Sequence, residues 1–215
     1  FARFNNVPEL KKMFMKFADI QVDPEALGLP RPRLEGGKAT GVSAPASPRL
    51  KKYISSLVTR AENLGHVDPR EDNMLKITGD GRKAALDMRL VNPGAEDDPA
   101  SKLNKAVDNI FEIYQNTTGV ETPGVGGKQD MAQLVFCDLG VPKKKGEKRD
   151  DDTGFDVYND IRKKLTRKGV KPEEIAFIQD YDSDDKKFAL FQKVNAGQVR
   201  VLIGSTEMMG AGTNA

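Results

Sequence analysis

The stretch at 199–215, VRVLIGSTEMMGAGTNA, constrains the fold of this chain more than any other. Val199, Val201, Leu202 and Ile203 form a short apolar run ending at Gly204, the pattern of a central strand buried on both faces of a parallel sheet. A polar, Gly-rich turn follows, with Ser205, Thr206, Gly210, Gly212, Thr213 and Asn214. Ligands of open α/β sheets gather at the carboxyl ends of strands, and glycines there let the backbone approach a phosphate or a neighbouring domain. A site-forming turn so near the end of the sequence is expected of a piece of a larger protein.

The preceding rhythm agrees with a parallel sheet. A helix over about 99–115 carries Leu103, Val107, Ile110, Phe111 and Tyr114 on one face. Then come a strand over 133–137, a helix over 155–168 closed by Gly169, and a strand over 175–178. A helix from Ser183 to Asn195 closed by Gly197 leads into the strand at 199–203. Strand–helix–strand spacing of this kind reads as crossover units of an α/β fold, with further strands supplied from outside these residues.

The first half reads as mainly helical. Leu10, Met13, Phe14 and Phe17 make an apolar stripe on a helix over 9–18, begun near Pro8. Residues 29–47 are rich in Pro and Gly and form an extended connector. Ser47 caps a second helix, with Pro48 in its first turn and Gly65 at its end. Residues 72–77 predict a short strand, 78–81 a turn and 82–91 a third helix. The Pro- and Gly-containing break at 92–99 places a domain boundary near residue 96, giving a connector region over 1–96 and an α/β domain over 97–215.

Charge and cysteine content narrow the function classes. The net charge is only +2 although 31% of residues are charged, so a basic excess does not announce a nucleic-acid binder. The lone Cys137 allows no internal disulfide and points to a cytoplasmic setting. No apolar run approaches the roughly 20 residues of a membrane-spanning helix.

Most chemistry-bearing residues have plain structural readings. Gly126, Gly127 and Lys128 imitate a phosphate loop, but Thr122 and Gln129 stand where that motif needs Gly and Ser or Thr. His66 lacks the arranged partners of a zinc site or a hydrolytic triad. Asp180, Asp182, Asp184 and Asp185 lack the Gly of a calcium loop and read as a solvated turn with helix N-terminal acids. Lys163, Lys164, Arg167 and Lys168 end a helix, where cations meet the negative end of its dipole. Lys143, Lys144 and Lys145, with Lys148 and Arg149, either grip a phosphate backbone or belong to a solvated loop offset by Asp150, Asp151 and Asp152.

The order of segments adds a resemblance. SKLNK at 101–105, a helix, and QLVFCD at 133–138 resemble the start of the second RecA-like domain of superfamily 2 helicases. FQKVNAGQVRVLIGSTEMMGAGTN at 191–214 resembles the run that ends at motif V of that domain. The likeness is greatest to the Swi/Snf-like branch, in particular to large helicase-like proteins of bacterial mobile elements and phages, often fused to methyltransferases. FARFNNVPEL at 1–10 and DNMLKITGDGRKAALDMRL at 72–90 resemble the connection between the motor domains of that group.

The resemblance implies a truncated RecA-like sheet behind a helical connector, serving as one half of an ATP-dependent DNA helicase or translocase. QLVFCD takes the place of motif IV and STEMMGAGTN of motif V. Ser205 and Thr206 would contact the phosphates of the tracked strand. Gly210, Gly212, Thr213 and Asn214 would lie near the ATP cleft shared with a first RecA-like domain. ATP and Mg²⁺ belong to the full-length parent. No Walker A lysine, Walker B acidic pair or motif VI arginine stands in this sequence, so no catalytic or metal-binding residue is assigned, and the chain by itself is not expected to hydrolyse ATP. Two alternatives remain: a non-catalytic, degenerate helicase-like scaffold, and a stand-alone α/β nucleotide-binding enzyme.

Overall fold

The structure, a computed structural model, describes residues 6–18, 35–121, 128–143 and 153–210. The chain divides into two compact units, residues 1–41 and 42–215. The first contains helix α1 (Val7–Phe14), which has a proline in its first turn and buries none of its own residues. At its end the ring of Phe14 meets that of Phe17, just past the helix, edge to face at 5.6 Å.

The second unit opens with helix α2 (Pro48–Glu62), capped as expected by Ser47, whose Oγ accepts the Leu50 N–H at 3.3 Å. The helix stops at Glu62, and a 3₁₀ turn at Leu64–His66 carries the chain past Gly65.

The strand and turn expected over 72–81 are instead one continuous helix, α3 (Met74–Leu86), followed by a 3₁₀ turn at Met88–Leu90. Two glycines inside a helix cost about 1 kcal/mol each, so something must outweigh them. Asn73 caps the helix by accepting the Lys76 N–H at 3.0 Å. Arg60 on α2 reaches both Asp72 (2.9 Å) and Asp80 (2.8 Å), pinning the cap and the first turns to the neighbouring helix. Ile77 and Ala84, seven residues apart, are buried. Gly81 faces α2, where a methyl would rest on Leu57 Cδ1 at an ordinary contact distance of 3.5 Å.

Helix α4 (Lys102–Asn116) begins at Ser101, whose Oγ accepts the Asn104 N–H. The loop expected after it contains a short antiparallel ribbon, β1 (Val120–Glu121) with β2 (Lys128–Gln129). The parallel sheet then forms from β3 (Gln133–Phe136), helix α5 (Val157–Lys168), β4 (Ile175–Phe177), helix α6 (Asp184–Asn195) and β5 (Val201–Gly204). A single-turn helix, α7 (Thr206–Met209), closes the described chain. Asp156 and Ser183 cap α5 and α6, and Gly169 ends α5 with φ 108°, a conformation that favours glycine.

Strand order is β3-β5-β4, with both neighbours parallel to the central β5. The expected α/β class is therefore present, as a small three-stranded parallel sheet among many helices. Because side chains alternate across a strand, the sheet has two different faces. Val135, Ile175, Phe177, Val201 and Ile203 meet Leu103, Val107 and Ile110 of α4 and Tyr158, Ile161 and Leu165 of α5. Ala176 and Leu202 turn the other way, against Leu190 and Val194 of α6 and Met209 of α7. Every residue of β5 is buried, which is why this strand reads as an unbroken apolar run.

Lys164 of α5 and Arg89 of the preceding 3₁₀ turn share an ion-pair network. Lys164 Nζ lies 2.8 Å from both Asp97 and Asp160, and Arg89 contacts Asp87, Asp97 and Asp160 while its guanidinium covers the Phe155 ring at 4.1 Å. This network joins the turn before α4 to the face of α5. Among the described residues no helix is long and apolar enough to cross a membrane.

Candidate functional site

The carboxyl ends of the three parallel strands deliver three loops to one edge of the sheet. β3 passes into Cys137 and Asp138, β4 into Ile178 and Gln179, and β5 into Ser205 and Thr206. They border an open cleft of about 590 Å³ whose walls include Asp138, Gly140, Gln179, Ser205 and Glu207, with Lys83 of α3 at its side. All three strands and one helix thus contribute to a single concavity.

Gly204 is what lets the central strand enter this edge. A Cβ there would stand 2.5 Å from Ile178 Cγ2 and 2.7 Å from Met209 Sδ, so a side chain would have to displace Ile178, just past β4, or the side chain of Met209. Gly140 is confined similarly: it has φ +63°, and a side chain would collide with Val157 at the start of α5.

Beyond Gly204 the polar contacts are specific. Asp138 accepts two hydrogen bonds from one residue: the Thr206 backbone N–H at 2.7 Å and the Thr206 hydroxyl at 2.9 Å. These bonds, the backbone one first, hold the Asp138 carboxyl below the usual carboxylate range, and the positive charge of Arg82 adds to the effect. Ser205 plays another part. Its Oγ accepts the Met208 N–H at 3.4 Å as the cap of α7, a contact that leaves the hydroxyl proton able to donate elsewhere. Thr206 and Glu207 are exposed, and Ser205 is half-buried.

Below the polar edge lies a buried floor. The fully buried Tyr158 donates its hydroxyl to the Cys137 carbonyl, and Gln179 Nε2 donates to that same phenol oxygen at 3.3 Å. Burial pushes the Tyr158 pKa up to about 12. Gln179 Oε1 is buried without a hydrogen-bond partner among the described residues. Burial also raises the Cys137 thiol, which donates to the Leu139 carbonyl at 3.2 Å. A thiol held protonated in this way is a poor nucleophile.

Of the residues expected at a site, Ser205, Thr206 and Gly210 lie together at this edge. Gly210 follows α7 with helical φ and ψ, and a side chain on it would strike the Thr206 carbonyl. Lys143 is exposed in the loop after β3. Lys144, Lys145, Gly212, Thr213 and Asn214 lie outside the described residues. His66 is exposed in the turn after α2, and Asp182 pairs with Lys186 at 2.7 Å. No group of three His, Cys, Asp or Glu side chains among the described residues could hold a metal ion.

Asp138, Gln179 and Glu207 were given no role by the sequence, although Asp138 closes the QLVFCD stretch. The available signal was positional: Asp138 follows one parallel strand as Ser205 follows the next, so both had to arrive at the same edge. Fold and site together define an α/β protein with a parallel sheet and a polar cleft at its carboxyl edge. Comparison with protein-family models, curated proteins and solved structures finds no match for this chain.

Proposed function

We propose that this chain contributes the second RecA-like motor domain of an ATP-dependent DNA helicase or translocase, of the superfamily 2, Swi/Snf-like kind, and that the carboxyl edge of its sheet grips one phosphate backbone. The observation that carries the reading is the central strand β5. It lies parallel to both neighbours and delivers Ser205 and Thr206 through a sterically required glycine to the edge where such sheets bind ligands. The Ser205 hydroxyl keeps a proton for an outside acceptor, and backbone contacts of this type position nucleic acid without reading sequence.

The same residues do not fit ATP or Mg²⁺. The sequence has no phosphate cradle, and the described residues offer no cluster of metal ligands. In this reading ATP and Mg²⁺ are held by a first RecA-like domain together with the sequence segment that contains Gly210, Gly212, Thr213 and Asn214.

A second reading, a degenerate helicase-like scaffold without a grip, is favoured by one feature: the carboxylates Asp138 and Glu207 border the cleft and repel phosphate. Binding of a fluorescein-labelled DNA duplex, followed by anisotropy, separates the two. A grip gives sequence-neutral binding that weakens steeply between about 50 and 200 mM salt, and that a double Ser205→Ala, Thr206→Ala change weakens by about tenfold. Absence of binding at low salt, with the fold intact by circular dichroism, would sink the grip and leave the scaffold.

A further inference from the structure

We propose that the outer edge of β3 pairs with the same edge of a second copy of this chain, joining two three-stranded sheets about a two-fold axis at Val135. This goes beyond the grip reading and does not depend on it. The Gln133 N–H donates to the Arg200 carbonyl at 2.8 Å, and the Cys137 N–H to the Gly204 carbonyl at 2.9 Å. Odd-numbered residues of β3 therefore turn their backbone groups to β5. Leu134 and Phe136 turn theirs outward, where no described residue pairs with them.

The two margins of the sheet differ. β4 is buried along its whole length, and Arg162 of α5 guards it, reaching the Ile175 carbonyl at 3.5 Å and lying 3.6 Å over the Phe177 ring. β3 has no such guard. From Met131 to Cys137 the chain carries neither a charge nor a proline, the usual devices against edge pairing. On the α6 side of the sheet its side chains are apolar yet uncovered. Leu134 is 41% and Phe136 48% exposed, whereas Ala176 and Leu202 on the same side are buried among residues of α6 and α7. Parallel strands ordinarily have both faces covered, so this margin lacks a neighbour.

The pattern of the strand fits another copy of itself. Antiparallel pairing about Val135 sets Leu134 opposite the other copy's Phe136, and Phe136 opposite its Leu134. These are the residues whose N–H and C=O point outward, so each opposed pair exchanges two hydrogen bonds. Both pairs are apolar and lie on one face, and the two-fold axis forms the contact twice. Charge selects the register. About Val135, Asp138 falls opposite Ala132. Centred on Leu134 instead, the pairing would oppose Asp130 to the other copy's Asp138, and centred on Phe136 it would set Asp138 against Leu134. Like charges directly opposed are destabilising.

The test is the oligomeric state of the full chain, by sedimentation velocity between about 1 and 200 µM protein without nucleic acid. A dimer with a Kd on the order of 10 µM is expected, as four backbone bonds and two apolar pairs make a small interface. Leu134→Lys and Phe136→Lys, which place a charge on the edge, should each weaken it at least about tenfold. Leu75→Lys, at an 83% exposed apolar side chain on α3, should leave it unchanged. Register is read by oxidation in a Cys137→Ser background. A mixture of Leu134→Cys and Phe136→Cys proteins should cross-link and each alone far less, because opposed residues bring two sulfurs within reach. Thermal melts by circular dichroism confirm the fold of every variant, and the lysine variants carry the test where a cysteine variant unfolds.

A chain that stays monomeric up to about 200 µM overturns the proposal. So does a dimer that both lysine variants leave intact, or one that Leu75→Lys weakens equally. Self-linking of either cysteine variant as fast as the mixture overturns the pairing about Val135. None of these results touches the grip, which stands or falls on its own DNA-binding test.

Discussion

At its amino end β5 is entered through Arg200, and at its carboxyl end it is left through Ser205 and Thr206. Arg200 is 1% exposed, and its guanidinium is surrounded. It donates to the Tyr114 carbonyl and the Thr118 hydroxyl at 2.8 Å, reaches the Thr117 hydroxyl at 3.3 Å, and lies 3.9 Å over the Tyr114 ring. These partners belong to the last turn of α4 and the residues just after it, where the unpaired carbonyls and the helix dipole favour a cation. Thr206 is exposed, and its N–H and hydroxyl both go to one residue, the exposed carboxylate of Asp138. The contrast shows how to read polar groups around a sheet. A buried, saturated one fixes the fold, whereas an exposed one held by a single exchangeable partner is free to serve a ligand.

The largest expected effect is at the buried end. Arg200→Ala removes a buried guanidinium together with its bonds to Tyr114, Thr117 and Thr118 and should lower stability by about 3 kcal/mol, measured by urea unfolding. A loss under about 1 kcal/mol would mean that water reaches those acceptors and that the two ends of β5 differ less than their burial indicates.

Tyr158→Phe, on the floor under the cleft, comes next. It removes the bond that the buried Tyr158 hydroxyl donates to the Cys137 carbonyl and should cost about 1–2 kcal/mol near neutral pH. It carries a pH signature as well. The folded Tyr158 pKa is raised to about 12 from an ordinary 10, so its contribution is complete below pH 10 and is lost as the pH climbs from about 10 to 12. The wild type should therefore lose stability over that window by more than the Phe variant. Parallel declines in the two proteins would show that Tyr158 is not the group responsible.

The smallest effect is expected at the exposed end. Ser205→Ala removes a long cap bond from a four-residue helix and should cost about 0.5 kcal/mol, while weakening DNA binding measurably. If Ser205→Ala destabilised the fold as much as Arg200→Ala, the division between a structural end and a functional end of β5 would collapse.

What could be read in the sequence follows from local physics. Ser47 and Ser183 announced helix starts because a side-chain acceptor satisfies a free N–H within three residues of itself, and Ser101 caps α4 in the same way although the sequence reading begins that helix near 99. Gly169 announced an end because its φ of 108° is one that L side chains rarely adopt. The apolar run from Val201 to Ile203 announced a central strand because both of its faces are buried. The strand and turn expected over 72–81 failed for the opposite reason. Gly79 and Gly81 argue against a helix locally, but α3 is held by Arg60, which lies 12 residues before Asp72 and 20 before Asp80. The β1–β2 ribbon escaped notice because two residues per strand carry no periodicity.

The sequence by itself determined the helix caps, the parallel α/β class, the central place of β5 and the arrival of Ser205 and Thr206 at its carboxyl end. Those are settled by hydrogen-bond valence, side-chain alternation and the burial of apolar runs, each legible within a few residues. Only the tertiary structure decided that Asp138 meets Thr206, 68 residues away, and that Arg200 clamps the end of α4, 86 residues before it. Such pairings depend on which strands become neighbours, and strand order is set by the packing of α4, α5 and α6 on the two faces of the sheet, not by any local pattern.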